Sequence, residues 1–238
     1  MKYHFSSCGV ALPLLEELGT ENLLMSFAVD AKQCGELSSQ NVIIDSGAFS
    51  VWNKGEEIDI DDYLKFCLNK SKEYTFVNLD VIPPRGSSKK DIEKCIEQGY
   101  ENYIYLNDKL PNVMPVYHSG ENLSWMKKYM DHTDYIGVGF GNNRHEKDRR
   151  VFLNEVFSIT QTEHKVHGLG YSSFEGLTIF PFYSVDSISY KGFNVRGDRF
   201  LVSQDLWFLF RESIKTFLKL ERDITKIWEH RGVFWDKK

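Results

Sequence analysis

The 238-residue sequence has few of the features that mark specialised protein classes. It has four cysteines, and none of them forms the Cys-x-x-Cys spacing of zinc knuckles and redox motifs: Cys8, Cys34, Cys67 and Cys95. This pattern predicts free, reduced and mostly buried thiols in a cytoplasmic protein. There is no long uncharged apolar run and no secretory signal pattern, so we expect no membrane association.

Basic residues are not in excess either. Lysine and arginine number 29 against 34 aspartates and glutamates, for a formal net charge of −5. That balance excludes a uniformly basic nucleic-acid-binding coat, although it leaves room for a local basic surface. With 42% hydrophobic and 14% aromatic residues, the chain has the composition of an ordinary globular protein, and it is long enough to bury a core without disulfides.

Short apolar, β-branched runs alternate with segments of helical spacing eight times along the chain. The eight predicted strands lie in KYHF, LLMSFAV, NVIID, YTFVNLDVIP, NVMPVYH, YIGVGFG, HKVHGLGY and FYSVDSISY. Regular alternation of this kind favours a parallel sheet with right-handed crossovers. Eight units predict an α/β protein with a single (β/α)₈ TIM barrel over residues 1–238, and an open doubly wound sheet is the alternative. An aromatic-rich C-terminal helix, at about residues 205–230, is expected to pack over the barrel.

Three aspartates end three of the predicted strands. Asp45, Asp80 and Asp186 each follow apolar residues, and the carboxyl ends of barrel strands meet at one mouth. We therefore expect these side chains to converge on one pocket. Burial would raise their pKa values and equip them for acid–base or nucleophilic chemistry. For any one aspartate, the alternative is a helix N-cap or a turn.

Five sequence segments, taken in order, resemble the tRNA-guanine transglycosylase superfamily. IIDSGAF is similar to the Asp-Ser-Gly-Gly-Phe segment of that family, and VNLDVIP to the Asp that ends its next strand. VYHSGE, YIGVGFG and SVDSISY are similar to its Val-Gln-Gly-Gly loop, its glycine-rich strand end and its late Phe-Asp-Cys/Ser segment. The matches run from about residue 41 to residue 190.

The sequence departs from the tRNA enzymes at several points. The C-terminal zinc site of the tRNA enzymes, three cysteines and a histidine, is missing. No cysteine follows Cys95, and His230 is the only histidine after Asp186. Ala48 replaces the second glycine, and His118 stands where the family has Gln. These departures and the short chain resemble the compact phage and genomic-island branch, the DNA 7-deazaguanine transglycosylases.

The resemblance implies an enzyme, a pentosyltransferase, that replaces guanine in DNA by a 7-deazaguanine base such as preQ0. Asp186 would be the nucleophile that holds the sugar, and Asp45 the general acid/base or a group that holds the base edge. Asp80 would accept hydrogen bonds from purine N–H groups, and His118 would donate one to the purine carbonyl. The other expected substrate-binding residues are Ser46, Gly47, Phe49 as a stacking ring, Gly137 and Val138 through their backbones, His167 and Gly168.

Basic residues that follow the predicted strands are candidates for contacting nucleic-acid phosphates. The candidates are Arg85, Arg144, Lys191, Arg196 and Arg199, and the alternative for each is a solvated surface side chain. DNA and a free 7-deazaguanine base are the expected partners, and a homodimer is left open. We expect no cofactor and no metal.

Three other functions remain open from the sequence. One is a reduced, zinc-free tRNA-guanine transglycosylase that acts on tRNA. Another is a catalytically inactive barrel of the same family that binds nucleic acid. The third is a metal-dependent barrel hydrolase, for which the sequence offers Asp and His residues but no tight ligand spacing.

Overall fold

The structure, a computed structural model, describes residues 1–6, 9–30, 41–141, 145–194 and 203–235. Its strands are β1 (Lys2–Ser6), β2 (Asn22–Ser26), β3 (Asn41–Asp45), β4 (Thr75–Val77), β5 (Val113–Met114), β6 (Val116–His118), β7 (Tyr135–Gly139), β8 (Lys165–Gly168) and β9 (Ser184–Ser187). Its helices are α1 (Leu12–Glu17), α2 (Phe27–Asp30), α3 (Ala48–Trp52), α4 (Ile60–Leu68), α5 (Lys89–Asn107), α6 (Leu123–Met130), α7 (Glu146–Thr160), α8 (Phe174–Ile179) and α9 (Ser203–His230), with 3₁₀ segments at Gly9–Ala11 and Ser189–Asn194.

All strand pairs are parallel, in the order β5-β4-β3-β2-β1-β9-β8-β7-β6. The two strands at the ends of this order, β5 and β6, are separated in the chain only by Pro115. The amide of Asn78 donates to the carbonyl of Met114 at 2.9 Å, and the amide of Gly137 donates to the carbonyl of Pro115 at 2.8 Å. The stretch from Val113 to His118 therefore joins β4 to β7 and closes the sheet. The prediction of a (β/α)₈ barrel is confirmed.

Two local details differ from the sequence prediction. The fifth predicted strand is divided into β5 and β6 because Pro115 has no amide hydrogen to give to the ladder. The second predicted strand, LLMSFAV, ends at Ser26, and its last residues form the short helix α2.

The barrel interior has an apolar arc and a polar arc. Inward-facing residues of five neighbouring strands form a small apolar cluster, with Leu24, Ile43, Val77, Met114 and Val116 as its buried members. On the other side, β1, β8 and β9 place buried polar side chains inside the wall, namely His4, His167, Ser184 and Asp186. The larger core lies outside this wall, between the strands and the helices.

Helix α9 packs along the outside of the barrel, as predicted. Phe217 stacks on Tyr3 of β1 at 4.9 Å between ring centroids, and the indole Nε1 of Trp228 donates to the carbonyl of Leu177 at 2.8 Å. At its other end, Trp207 and Phe208 are 48% and 62% exposed.

The described part of the chain offers no helix that is both long enough and apolar enough to span a bilayer. Cys67 is buried and Cys95 half-buried, and both are free thiols. Cys8 and Cys34 lie outside the described residues.

Candidate active site at the barrel mouth

Asp45, Asp80 and Asp186 lie at the carboxyl end of the barrel. Asp45 is the last residue of β3, Asp186 belongs to β9, and Asp80 follows β4. Burial, together with the negative charges of Asp186 and Asp80, raises the pKa of Asp45 to about 7. The three carboxyl groups are therefore close enough to act on one another. Side-chain caps of the described helices come from other residues, namely Asp59, Ser88, Asn122 and Ser173.

A tight turn after β3 orients Asp45. Its Oδ2 atom accepts a hydrogen bond from the amide of Gly47 at 3.1 Å. Gly47 has a left-handed backbone (φ +80°), and a Cβ atom there would lie 2.5 Å from Oγ of Ser26 and 2.6 Å from Cβ of Ala28. Ser46 is buried, and its hydroxyl donates to the carbonyl of Asn78 at 3.3 Å, which ties the ends of β3 and β4 together. Asp-Ser-Gly thus builds the turn that holds Asp45 at the mouth.

His118 lies between two carboxylates. Its Nε2 atom is 3.4 Å from Oδ2 of Asp80, and its Nδ1 atom is 3.0 Å from Oε1 of Glu121. Burial alone would lower the pKa of His118, but Asp80 and Glu121 outweigh it and raise the pKa to about 9. Burial raises the pKa of Asp80 to about 6, against the opposing effect of His118. At neutral pH the mouth therefore holds an imidazolium cation beside Asp80.

Two further residues hold this pair in place. The side-chain amide of Asn78 donates to Oδ1 of Asp80 at 3.2 Å and to the carbonyl of Gly99 at 2.9 Å. Gly139, which faces His118 across the β6–β7 pair, makes room for the imidazole, because a Cβ atom there would lie 2.5 Å from Cδ2 of His118. His118 keeps 34% of its side-chain surface exposed, and Asp80 keeps 21%.

Two neighbouring groups hold one oxygen of the Asp186 carboxylate. Its Oδ1 atom accepts a hydrogen bond from the amide of Gly170 at 2.8 Å and lies 3.3 Å from Nε2 of His167. The turn after β9 is instead stabilised by Ser187, whose hydroxyl accepts from the amide of Ser189 at 3.0 Å. Asp186 therefore does not stabilise the turn after its own strand, although its Oδ1 atom holds the turn after β8 through Gly170. His167 is fully buried beneath it, so this structure places His167 against Asp186 rather than at the exposed mouth.

Gly137, Val138 and Gly168 lie in the barrel wall, and their contacts with a base stay predictions. The amide of Gly137 and the carbonyl of Val138 have partners in the barrel wall, the carbonyl of Pro115 and the amide of Leu169. A Cβ atom on Gly168 would lie 2.9 Å from Phe182 in the outer core. The Cβ side of this glycine therefore faces Tyr171, Phe182 and Val185 outside the barrel wall, since alternate residues of a strand face opposite sides.

Exposed aromatic rings and a basic residue follow β3 and β4. Phe49, on α3, is 66% exposed and stacks on Trp52 at 6.0 Å between centroids. The guanidinium of Arg85 lies 5.5 Å from the centroid of the Trp52 ring. Lys191 lies in the 3₁₀ segment after β9, with Nζ 5.8 Å from the ring centroid of Tyr190. Arg144, Arg196 and Arg199 lie outside the described residues.

No role in this site was predicted from the sequence for Glu121, Asn78 or Gly139. Glu121 reaches His118 because the chain turns back after β6, where the amide of Glu121 donates to the carbonyl of His118 at 3.1 Å. A polar residue two positions before Asp80 was the available signal for Asn78. For Gly139, the available signal was a glycine in the predicted strand that follows the one ending in His118.

Over the described ranges, no group of three or more His, Cys, Asp or Glu side chains has the arrangement needed to hold a metal ion. Comparison with protein-family models and with curated protein sequences finds no match for this chain.

Proposed function

We propose that this protein is a base-exchange transglycosylase that replaces guanine in DNA by a 7-deazaguanine base. The observation that carries the proposal is the group of three carboxyls from β3, β9 and the segment after β4 at one barrel mouth. One of them, Asp45, has a pKa raised to about 7, which suits a group that both gives and takes a proton near neutral pH.

The reaction divides between two sides of the mouth. Asp186 attacks the sugar carbon C1′, a carboxylate oxygen–carbon bond forms, and the bond from C1′ to the guanine nitrogen breaks. Asp45 gives its proton to the departing guanine. The incoming base then loses a proton to Asp45 and attacks C1′, which releases the carboxylate of Asp186. The retained configuration at C1′ follows from the two successive displacements.

The other side of the mouth would hold the base. Asp80 accepts from N–H groups of the purine, and the imidazolium of His118 supplies a cationic donor toward a carbonyl oxygen. In the absence of base, both His118 nitrogens face carboxylates, so base binding would redirect Nε2 from Asp80 to the ligand. The stacked Phe49 and Trp52 rings beside Arg85 fit a flipped or single-stranded nucleotide.

The test is incorporation of labelled guanine or preQ0 by the purified full chain into single-stranded DNA, duplex DNA and tRNA. We expect incorporation into DNA and none by the Asp186→Asn variant. Asp134→Asn, at an exposed carboxylate before β7, is the matched control and should keep full activity. Incorporation only into tRNA would overturn the DNA assignment, and no incorporation into any nucleic acid would overturn the proposal.

Nucleoside mass spectrometry of cellular DNA gives a second measurement. DNA from cells that contain the protein and a source of 7-deazaguanine should yield a modified deoxyguanosine. DNA from cells with the Asp186→Asn variant should yield none.

A further inference from the structure

A chain of buried polar side chains leads across the barrel wall to Asp186. The hydroxyl of Tyr135 on β7 is 2.6 Å from Oγ of Ser184 on β9, and that Oγ is 2.7 Å from Nδ1 of His167 on β8. On the other edge of the ring, Nε2 of His167 meets Oδ1 of Asp186 at 3.3 Å. Ser184 and His167 are fully buried, so no bulk solvent competes for these contacts.

The proton positions in this chain follow from its end group. A carboxylate can only accept, so Nε2 of His167 must carry the hydrogen that points at Asp186. When Nδ1 carries no hydrogen, it accepts a hydrogen bond from the hydroxyl of Ser184, 2.7 Å away. Ser184 Oγ in turn accepts from Tyr135, whose pKa is raised by burial, so that the phenol keeps its proton. Every donor in the chain thus points toward Asp186.

The second histidine of this arc adds no charge. His4 on β1 lies edge-on to His167 at 5.6 Å between ring centroids. Burial, together with the nearby His167 and Lys2, lowers the pKa of His4 well below its ordinary value. His4 is therefore neutral at physiological pH, and it packs against His167 without competing for Asp186.

The two oxygens of Asp186 differ as a result. Oδ1 faces the amide of Gly170 and the ring of His167, whereas no hydrogen bond from the described residues reaches Oδ2. Two donors on one oxygen fix the carboxylate plane and leave the other oxygen as the one that can form a bond.

We propose that His167 is a positioning residue that, with the Gly170 amide, holds Oδ1 of Asp186 and assigns the attack on C1′ to Oδ2. This inference rests on the proposed function. In the first step the Oδ2–C1′ bond forms as the bond from C1′ to the base nitrogen breaks, and the departing base takes the proton of Asp45. His167 keeps its own proton throughout.

Two substitutions at position 167 separate positioning from packing. The amide of glutamine places an N–H near the Nε2 position of histidine, whereas asparagine reaches only the Nδ1 position. We expect His167→Asn to lower kcat by about ten- to a hundredfold with KM for the free base within about threefold, and His167→Gln to recover most of that loss. His132→Asn, at an exposed histidine that contacts Tyr100, is the control and should leave both constants unchanged.

The result that overturns the proposal is an equal loss of kcat in the Asn and Gln variants, or a loss carried entirely by KM. If His167→Asn does not fold, Tyr135→Phe tests the same chain from its far end, because it removes only the donor to Ser184. A severalfold fall in kcat at constant KM is expected there, and no change in kcat would contradict the proposal.

Nitrogen-15 NMR of histidine-labelled protein tests the inference without any activity. The His167 signal, identified by its loss in His167→Gln, should show a protonated Nε2. An unprotonated Nε2 would overturn the proposal even if base exchange is observed. A protonated Nε2 in a protein without base exchange would instead leave the positioning intact and remove the proposed reaction.

Discussion

Two carboxyl groups at opposite ends of the barrel have the same pKa, raised mainly by burial, but their neighbours differ. Burial raises the pKa of Asp45, at the mouth, and that of Glu221, on α9 at the amino end, each to about 7. Around Glu221 the neighbours oppose burial, and the side-chain amide of Asn22 donates to Oε1 at 2.8 Å. Around Asp45 the neighbours are Asp186 and Asp80, whose charges add to the effect of burial.

The difference shows that a raised pKa does not by itself mark a site. At the amino end the polar groups satisfy one another, as Lys2 does by donating to Asn41 at 3.0 Å and to Tyr183 at 2.8 Å. At the mouth, the carboxylates of Asp186 and Asp80 repel that of Asp45, which lowers the stability of the folded protein. A purely structural role does not need such an arrangement. The predictions below test whether chemistry belongs to the mouth alone.

The largest expected effect is loss of the nucleophile at the mouth. Asp186→Asn keeps the shape of the side chain but removes the attacking carboxylate, so the rate of base exchange should fall by about 10⁴-fold or more. Glu221→Gln makes the equivalent change at the amino end and should leave the rate within about twofold. Labelled-guanine incorporation measures both, and equal losses in the two variants would remove the distinction between the ends.

The next effect separates activity from stability at Asp45. Asp45→Asn removes the acid/base group and should lower the exchange rate by about 10²- to 10⁴-fold. The folded pKa of about 7 lies above the ordinary value of 3.8, so the wild type loses stability as pH rises from about 4 to 7 and stays less stable above 7. The variant should therefore gain about 1–3 kcal/mol in unfolding free energy at pH 8 and little at pH 4.

Glu221→Gln is the control for this pair of measurements. Its folded pKa is also raised, from 4.5 to about 7, so it should weaken the pH dependence of urea unfolding in the same direction. Only Asp45→Asn should change catalysis. A variant of Asp45 that is less stable at pH 8 would contradict the assignment of Asp45 as a buried group crowded by other acids.

A smaller effect is expected at His118. Glu121→Gln removes the carboxylate that faces Nδ1, so the pKa of His118 should fall from about 9 by about 1–2 pH units. An NMR titration of His118 measures the change directly. Binding of the free base should then weaken at a correspondingly lower pH, because the imidazolium is the donor. Glu21→Gln, at the amino end, should leave the titration unchanged.

The smallest effect is expected from Lys2 at the amino end. Lys2→Met removes the donor shared by Asn41 and Tyr183 and should lower the free energy of unfolding by about 1–2 kcal/mol. The exchange rate at 25 °C should not change. Urea denaturation and an activity assay on the same preparation decide this, and a slowed reaction in a folded variant would mean that the amino end takes part.

The barrel and the placement of three aspartates at its mouth could be predicted from the sequence because both follow from periodicity. Strand runs alternate with helical spacing, and parallel strands bring their carboxyl ends together. The two-residue alternation within a strand also decides which of the expected site residues on β7 and β8 face the barrel interior. Gly137 and His167 face inward, so Val138 and Gly168, one position on, face the helices.

The partners of the site residues were beyond the sequence pattern. Glu121 meets His118 through a turn whose path depends on the loop, and Gly170 reaches Asp186 from the neighbouring strand end. Such contacts join residues from separate strand ends, and no local spacing encodes them. The difference in hydrogen bonding between the two Asp186 oxygens likewise depends on residues from β7, β8 and β9 together.

The division of one strand at Pro115 couples the shape of the wall to the electrostatics of the mouth. Before the proline the chain is hydrogen-bonded to β4, whose following segment carries Asp80, and after it the chain is bonded to β7 and ends in His118. The pair of His118 and Asp80 therefore spans the point at which the strand changes its bonding partner. A base bound to both Asp80 and His118 would link the segments that follow β4 and β6 across this point.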